Sequence, residues 1–127
     1  MKYNIVAGEE LRKIMINLLD NPIPFNEDMS IGDYHNEPFG ESFINERSAV
    51  HHVTTLEYKE KLSMFLNVIN TITYNDEINL YFGEDKTCVA NRNFLIKYFA
   101  NRVKIIKLHI VNEYTGEEIE SFDLCNK

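Results

Sequence analysis

Apolar and polar residues follow two rhythms along this chain, one of period two and one near 3.6, and the order in which they alternate predicts its elements. Tyr3 to Ala7 is a short β-prone run closed by Gly8. Glu9 then opens a stretch with Leu11, Ile14, Met15, Leu18 and Leu19 on one helical stripe, and its two leading glutamates suit the positive end of a helix. Proline bars continuation near Asp20-Asn21-Pro22, and Ile23 to Phe25 is the next candidate strand. From Asn26 to Gly40 neither rhythm holds. That segment is rich in Asn, Asp, Gly, Pro and Ser and reads as a long loop, a feature that is uncommon in compact domains and often functional.

A short helix is expected from Ser42 to about Val50. Thr54 and Glu57 have the spacing of a capping box, and Tyr58, Leu62, Phe65, Ile69 and Ile72 extend a helix from about Thr55 to Thr73. Glu77 to Phe82 alternates as a strand does and ends at Gly83. Asp85 or Thr87 is placed to cap a helix whose inner face carries Cys88, Leu95, Tyr98 and Phe99. Val103 to Val111 is the most β-branched stretch and reads as a central strand, apolar on both faces. Tyr114-Thr115-Gly116-Glu117 then turns the chain into a last strand, Glu118 to Leu124. This order predicts one α/β domain over residues 1–127: a Rossmann-like sandwich with a mainly parallel sheet and a C-terminal antiparallel hairpin. Ligands of such sheets bind beyond the carboxyl ends of the strands, where strand order reverses. Gly8 to Glu10, Asn26 to Gly32 and Gly83 to Thr87 are the loops expected to meet there.

Those loops also carry a resemblance. Asn4-Ile5-Val6-Ala7-Gly8-Glu9, Asn26-Glu27-Asp28-Met29-Ser30-Ile31-Gly32 and Leu80-Tyr81-Phe82-Gly83-Glu84-Asp85 with Cys88 resemble the bacterial domain-of-unknown-function family eighteen-thirty-five over roughly residues 3–100. The resemblance implies a turn at Gly8, a loop built on Asp28, Ser30 and Gly32, and a family arginine at Arg47. Asn4 stands where the family has His, Asp33 where it has Pro, and Tyr81 near its Trp. The family has no settled activity, so the resemblance implies a fold more than a function.

Several residues could carry chemistry. Asp28, Glu84 and Asp85 are acids on converging loops and could hold Mg²⁺ or act as acid and base, but the commoner outcome is that Asp28 or Asp85 caps the next helix and Glu84 is solvated. With Gly8, Ser30, Gly32 and Arg47 they form the set expected around a small anionic, nucleotide-like ligand. No dinucleotide or phosphate-loop fingerprint is present, and Glu9 and Glu10 would repel phosphate. His51 and His52 are adjacent and point to different sides of a helix, which does not make a metal pair, and His35 stands alone. Arg47, one turn before His51, suits either a structural pairing with Asp28 or an anion. Cys88 falls on an apolar stripe and reads as a small buried hydrophobe. No catalytic residue, metal ligand or cofactor is assigned.

Composition adds a location. The chain has 127 residues, thirteen Lys and Arg against twenty Asp and Glu, and a net charge of -7, which disfavours direct binding to nucleic acid or an anionic membrane. All of the excess lies between Asp20 and Glu46, where seven acids stand with no Lys or Arg. Acids interleaved with aromatics suit docking on a basic protein surface, and Glu27, Asp28, Asp33, Tyr34, Glu37, Phe39 and Glu41 are the contact residues this predicts. The reading is therefore a non-enzymatic binding module acting by protein contact, in its most specific form a phage-type inhibitor of a nucleic-acid-binding host protein. A charged last strand could instead pair the hairpin with a second copy, although charge on an edge commonly prevents this. Two distant cysteines, no apolar run near 18 to 20 residues and no apolar leader point to a reduced, soluble, cytoplasmic protein.

Overall fold

The computed structural model describes residues 1–125. Its elements follow the predicted order: β1 (Lys2–Val6), α1 (Glu9–Met15), β2 (Ile23–Pro24), α2 (Glu41–Val50), α3 (Thr55–Lys61), α4 (Ser63–Ile69), β3 (Glu77–Phe82), α5 (Lys86–Phe99), β4 (Ile105–Val111) and β5 (Glu118–Cys125). The sheet runs β2-β1-β3-β4-β5, parallel except for the antiparallel β4–β5 hairpin. The chain goes from β1 outward to β2, then crosses back over β1 to β3. Strand order therefore reverses between β1 and β3, the position where open α/β sheets form a crevice.

Strand alternation divides the apolar residues between two faces. On one, Ile5, Ile78, Leu80, Phe82, Ile106, Leu108 and Ile110 pack with Phe43, Tyr58, Phe65, Leu95 and Phe99 from the helices of the main core. On the other, a small cluster of Val6, Tyr81 and Val111 lies under Leu11 and Met15 of α1. β4 departs from its predicted character. Ile106, Leu108 and Ile110 are buried, but Ile105, Lys107 and His109 on the opposite side are only half-buried, because α1 does not reach that half of the sheet. β2 is two residues long, as befits an edge strand containing Pro24, which has no N–H to donate.

The helix predicted over Thr55–Thr73 is two helices that meet at Leu62, whose φ of -98° and ψ of 11° break the helical path. The break leaves the Lys61 carbonyl to accept a bond from Asn26 Nδ2 at 3.1 Å. Asn26 Oδ1 accepts the Glu9 N–H at 3.0 Å, so one amide ties the start of α1 to the end of α3. The Thr54–Glu57 capping box is present, and Asp85 caps α5 by accepting the Cys88 N–H at 2.8 Å. α1 ends at Met15, earlier than its apolar stripe suggests, and Leu18 is exposed. No helix among the described residues is long and apolar enough to cross a membrane.

Candidate functional site

The carboxyl ends of β1, β3 and β4 enclose a cavity of about 480 Å³. Its walls are the Gly8 turn with Glu9 and Glu10, the start of α5 with Asp85, Thr87 and Cys88, and Glu113 with Tyr114 from the loop that follows β4. Ala7, Leu11 and Ile14 supply the apolar part of the lining, and among the described residues no Lys or Arg lines it. The cavity thus sits at the reversal point between β1 and β3, and Gly8 and Asp85 of the predicted set border it.

Glu113 reaches this cavity across Gly83. A Cβ on Gly83 would lie 2.4 Å from Glu113 Cγ and 2.6 Å from Cδ, so the side chain occupies the space that any other residue at position 83 would fill. Cys88 Sγ donates to Glu113 Oε1 at 3.1 Å. One oxygen each from Asp85 and Glu113 and the Cys88 sulfur all lie within 4.8 Å of one another, near enough to share a divalent cation, and a thiolate with two carboxylates would suit Zn²⁺. Without a cation the three groups divide their protons. The backbone N–H of Cys88 holds the Asp85 carboxyl below its usual range. Burial and the neighbouring Asp85 push Glu113 up, so of the two carboxyls Glu113 is the one that takes up a proton first as pH falls. Burial, reinforced by Glu113, also pushes the Cys88 thiol up, which keeps it protonated and makes it a donor rather than a nucleophile.

The loop after β2 is held by a separate, buried group of side chains. Glu27 and Arg47 have fully buried side chains and form a two-pronged pair, Arg47 Nε to Glu27 Oε2 and Nη2 to Oε1, each at 3.0 Å. Tyr58 Oη donates to Glu27 Oε2 at 2.6 Å, the Asp28 N–H donates to Oε1 at 2.7 Å, and His51 Nε2 also bonds to Oε1. Burial opposes the Glu27 charge, but the Arg47 and Tyr58 bonds outweigh it and hold the carboxyl down at about 2. Arg47 also donates to the carbonyls of Asp33 and Asp28, and Asn91 bonds to the Glu27 carbonyl and the Met29 N–H. The arginine singled out by the family resemblance is therefore paired with Glu27 rather than Asp28. It is sealed from solvent and does not line the cavity.

The other predicted residues are dispersed. Asp28 accepts from the Ser30 N–H and hydroxyl and, at 3.2 Å, from Thr87 Oγ1, which joins the loop to the cavity wall. Burial opposes its charge, and the Ser30 and Thr87 bonds lower its pKa. Gly32 has a φ of +65° and lies against Val50, where a Cβ would come within 2.7 Å. Glu84 is exposed and outside the cavity. Most of the proposed contact residues are engaged within the chain: Glu27 with Arg47, Glu37 with Arg102 at 2.7 Å, and Glu41 with Lys59 at 3.2 Å. Phe39 is packed among Phe25, Phe43, Phe65, Phe94 and Tyr98, and Tyr34 meets Phe43 and Phe94 edge-on. Asp33 alone of the set is exposed with no side-chain partner among the described residues. Glu113 and Tyr114 are site residues outside the predicted set, Tyr114 having been expected only in the hairpin turn. Their signal was positional, because they follow a parallel strand at its carboxyl end.

In comparisons with known proteins, no family model, no curated protein and no solved structure matched this chain.

Proposed function

We propose that this domain is a binding module for a small ligand, held in the cavity beyond β1, β3 and β4. The observation that carries this reading is the coincidence of that cavity with the point where strand order reverses. The charge of the lining determines the kind of ligand. With Glu9, Glu10, Asp85 and Glu113 around it and no basic side chain among the described residues, the cavity favours a cation or a donor of hydrogen bonds over the anionic, nucleotide-like ligand expected from sequence. The Asp85–Cys88–Glu113 group is where such a cation would be held. Docking on a basic protein through Asn26 to Glu46 has less support, because Glu27, Glu37 and Glu41 already have cationic partners and the half-buried Phe39 is packed against the core.

Thermal-shift measurements with Zn²⁺, Mn²⁺, Mg²⁺ and spermidine, set against inorganic phosphate and AMP, test the proposal. A cation at a hundredfold its Kd is expected to add roughly 2.7 kcal/mol of stability, and Asp85→Asn with Glu113→Gln is expected to abolish that gain. Phosphate and AMP are expected to have no effect. Stabilisation by the anions alone, or a cation effect that survives both substitutions, would overturn it.

A further inference from the structure

The cavity beyond β1, β3 and β4, at about 480 Å³, has the size of a site for an organic molecule rather than for a bare ion. Its four acids are not equivalent. Glu9 Oε1 accepts from Arg12 Nη1 at 3.0 Å and Glu10 lies 3.6 Å from Lys13 Nζ, so each already has a cation on its own helix. Asp85 and Glu113 have no ion pair among the described residues, although an oxygen of one lies within 4.8 Å of an oxygen of the other. Each also keeps an oxygen free. The Cys88 N–H donates to Asp85 Oδ1 at 2.8 Å and the Cys88 thiol to Glu113 Oε1 at 3.1 Å, while no hydrogen bond among the described residues engages Asp85 Oδ2 or Glu113 Oε2. A Zn²⁺ ion at this group must first displace the thiol proton, which burial and Glu113 retain. An ammonium needs only acceptors and leaves the thiol as it is.

The mouth adds an independent feature. Tyr114 lines the cavity and yet is 89% exposed. Its backbone is held in place: the N–H groups of Tyr114 and Thr115 donate to Asn112 Oδ1 at 2.8 and 3.2 Å. Gly116, with φ +76°, sits so close to α1 that a Cβ there would come within 3.2 Å of Ile14 Cγ2. An aromatic ring fixed at the entrance of an acid-lined cavity suits a cation, which is attracted to the ring face. Resting on the reading of this cavity as a cation site, we propose that its ligand is a primary alkylammonium, a small free amine whose charged head lies at Asp85 and Glu113 and whose apolar stem lies against Ala7, Leu11 and Ile14. The head donates to the free carboxylate oxygens and supplies the counter-charge that the fold does not. The stem removes the apolar wall from water. A metal ion would leave that wall unused, and a neutral alcohol would leave the two carboxylates uncompensated.

Amide-resolved NMR at neutral pH, with the protein titrated with methyl-, propyl- and hexylammonium and separately with 1-hexanol and Zn²⁺, tests this. Hexylammonium is expected to shift the amides of Gly8, Thr87 and Tyr114, and affinity is expected to rise by up to about fourfold for each methylene that the wall covers. 1-Hexanol should bind about tenfold more weakly, and Glu113→Gln should weaken hexylammonium by a similar factor. Tyr114→Ala should weaken it by about two- to fivefold. Affinity indifferent to chain length, equal binding of 1-hexanol, or shifts confined to residues away from the cavity would overturn the inference. Zn²⁺ binding through Asp85 and Glu113 without any binding of hexylammonium overturns it as well, but leaves the cavity a cation site. If neither binds, both readings fall. Should Glu113→Gln fail to fold, the exposed Tyr114 and the chain-length series decide by themselves.

Discussion

Arg47 has no solvent-exposed surface, and its guanidinium meets Glu27 and two loop carbonyls. A pair buried this deeply is a poor source of net stability but is expensive to break on one side. Arg47→Met should lower the stability by roughly 3–5 kcal/mol in urea unfolding, since it strands the Glu27 carboxylate in the interior. The double variant Arg47→Met with Glu27→Leu should recover part of that loss. The pH dependence has a definite sign. Glu27 is depressed in the folded protein, so its contribution is full above the pKa of an unfolded glutamate, about 4.3, and disappears as pH falls toward about 2. Sequence reading placed Glu27 and Asp28 together as acids on a loop. Which of the two turns inward is decided by partners twenty and thirty-one residues away, Arg47 and Tyr58, and no local pattern encodes that choice.

Elements were legible where their ends carry local chemistry and illegible where a distant residue ends them. The Thr54–Glu57 box and the Asp85 cap are local and hold as read. The division of α3 from α4 is not local, because its freed Lys61 carbonyl is taken up by Asn26, thirty-five residues earlier. The same amide caps the entry to α1, whose preceding residue, Gly8, has no side chain to do so. Asn26→Ala should therefore cost about 2 kcal/mol, roughly 1 for each lost bond, with an unchanged denaturant slope. Asn26→Asp keeps the acceptor for Glu9 but loses the donor to Lys61, so about half of that effect is expected. A loss confined to one helix in amide exchange, rather than at both, would show that the two ends are not coupled through this residue.

For the molecule as a whole, the alternation of strand and helix was enough to predict a mainly parallel sheet with an antiparallel hairpin, because few connections are compatible with that order. The candidate site was legible in part. Gly8 and Asp85 follow from strand ends, whereas Glu113 required knowing that β4 ends beside β3. Charge alone did not show where these acids are engaged: several carboxylates of the acidic segment pair with Arg47, Lys59 and Arg102 of the same chain. Its aromatic residues likewise complete the interior. Phe39 holds a left-handed backbone, φ 68°, that bulky residues rarely adopt, and the rings around it keep it there.

That anchor has a consequence for how the chain can vary in length. Surface loops ordinarily absorb insertions, because lengthening a flexible connection adds little entropy cost. Between Tyr34 and Phe39 the exposed backbone is tied by His35 and Asn36 to Glu46 and by Glu37 to Arg102, so an added pair of residues pulls on those ties and on the packed ring at either end. A Gly-Ser insertion after Asn36 should thus behave as a core truncation and lower stability by about 3 kcal/mol or more in thermal or urea melts. The same insertion between Tyr114 and Thr115, both exposed, should stay within about 1 kcal/mol. Among homologues, gaps would then fall at the hairpin tip, while the segment with the least regular structure would keep a constant length.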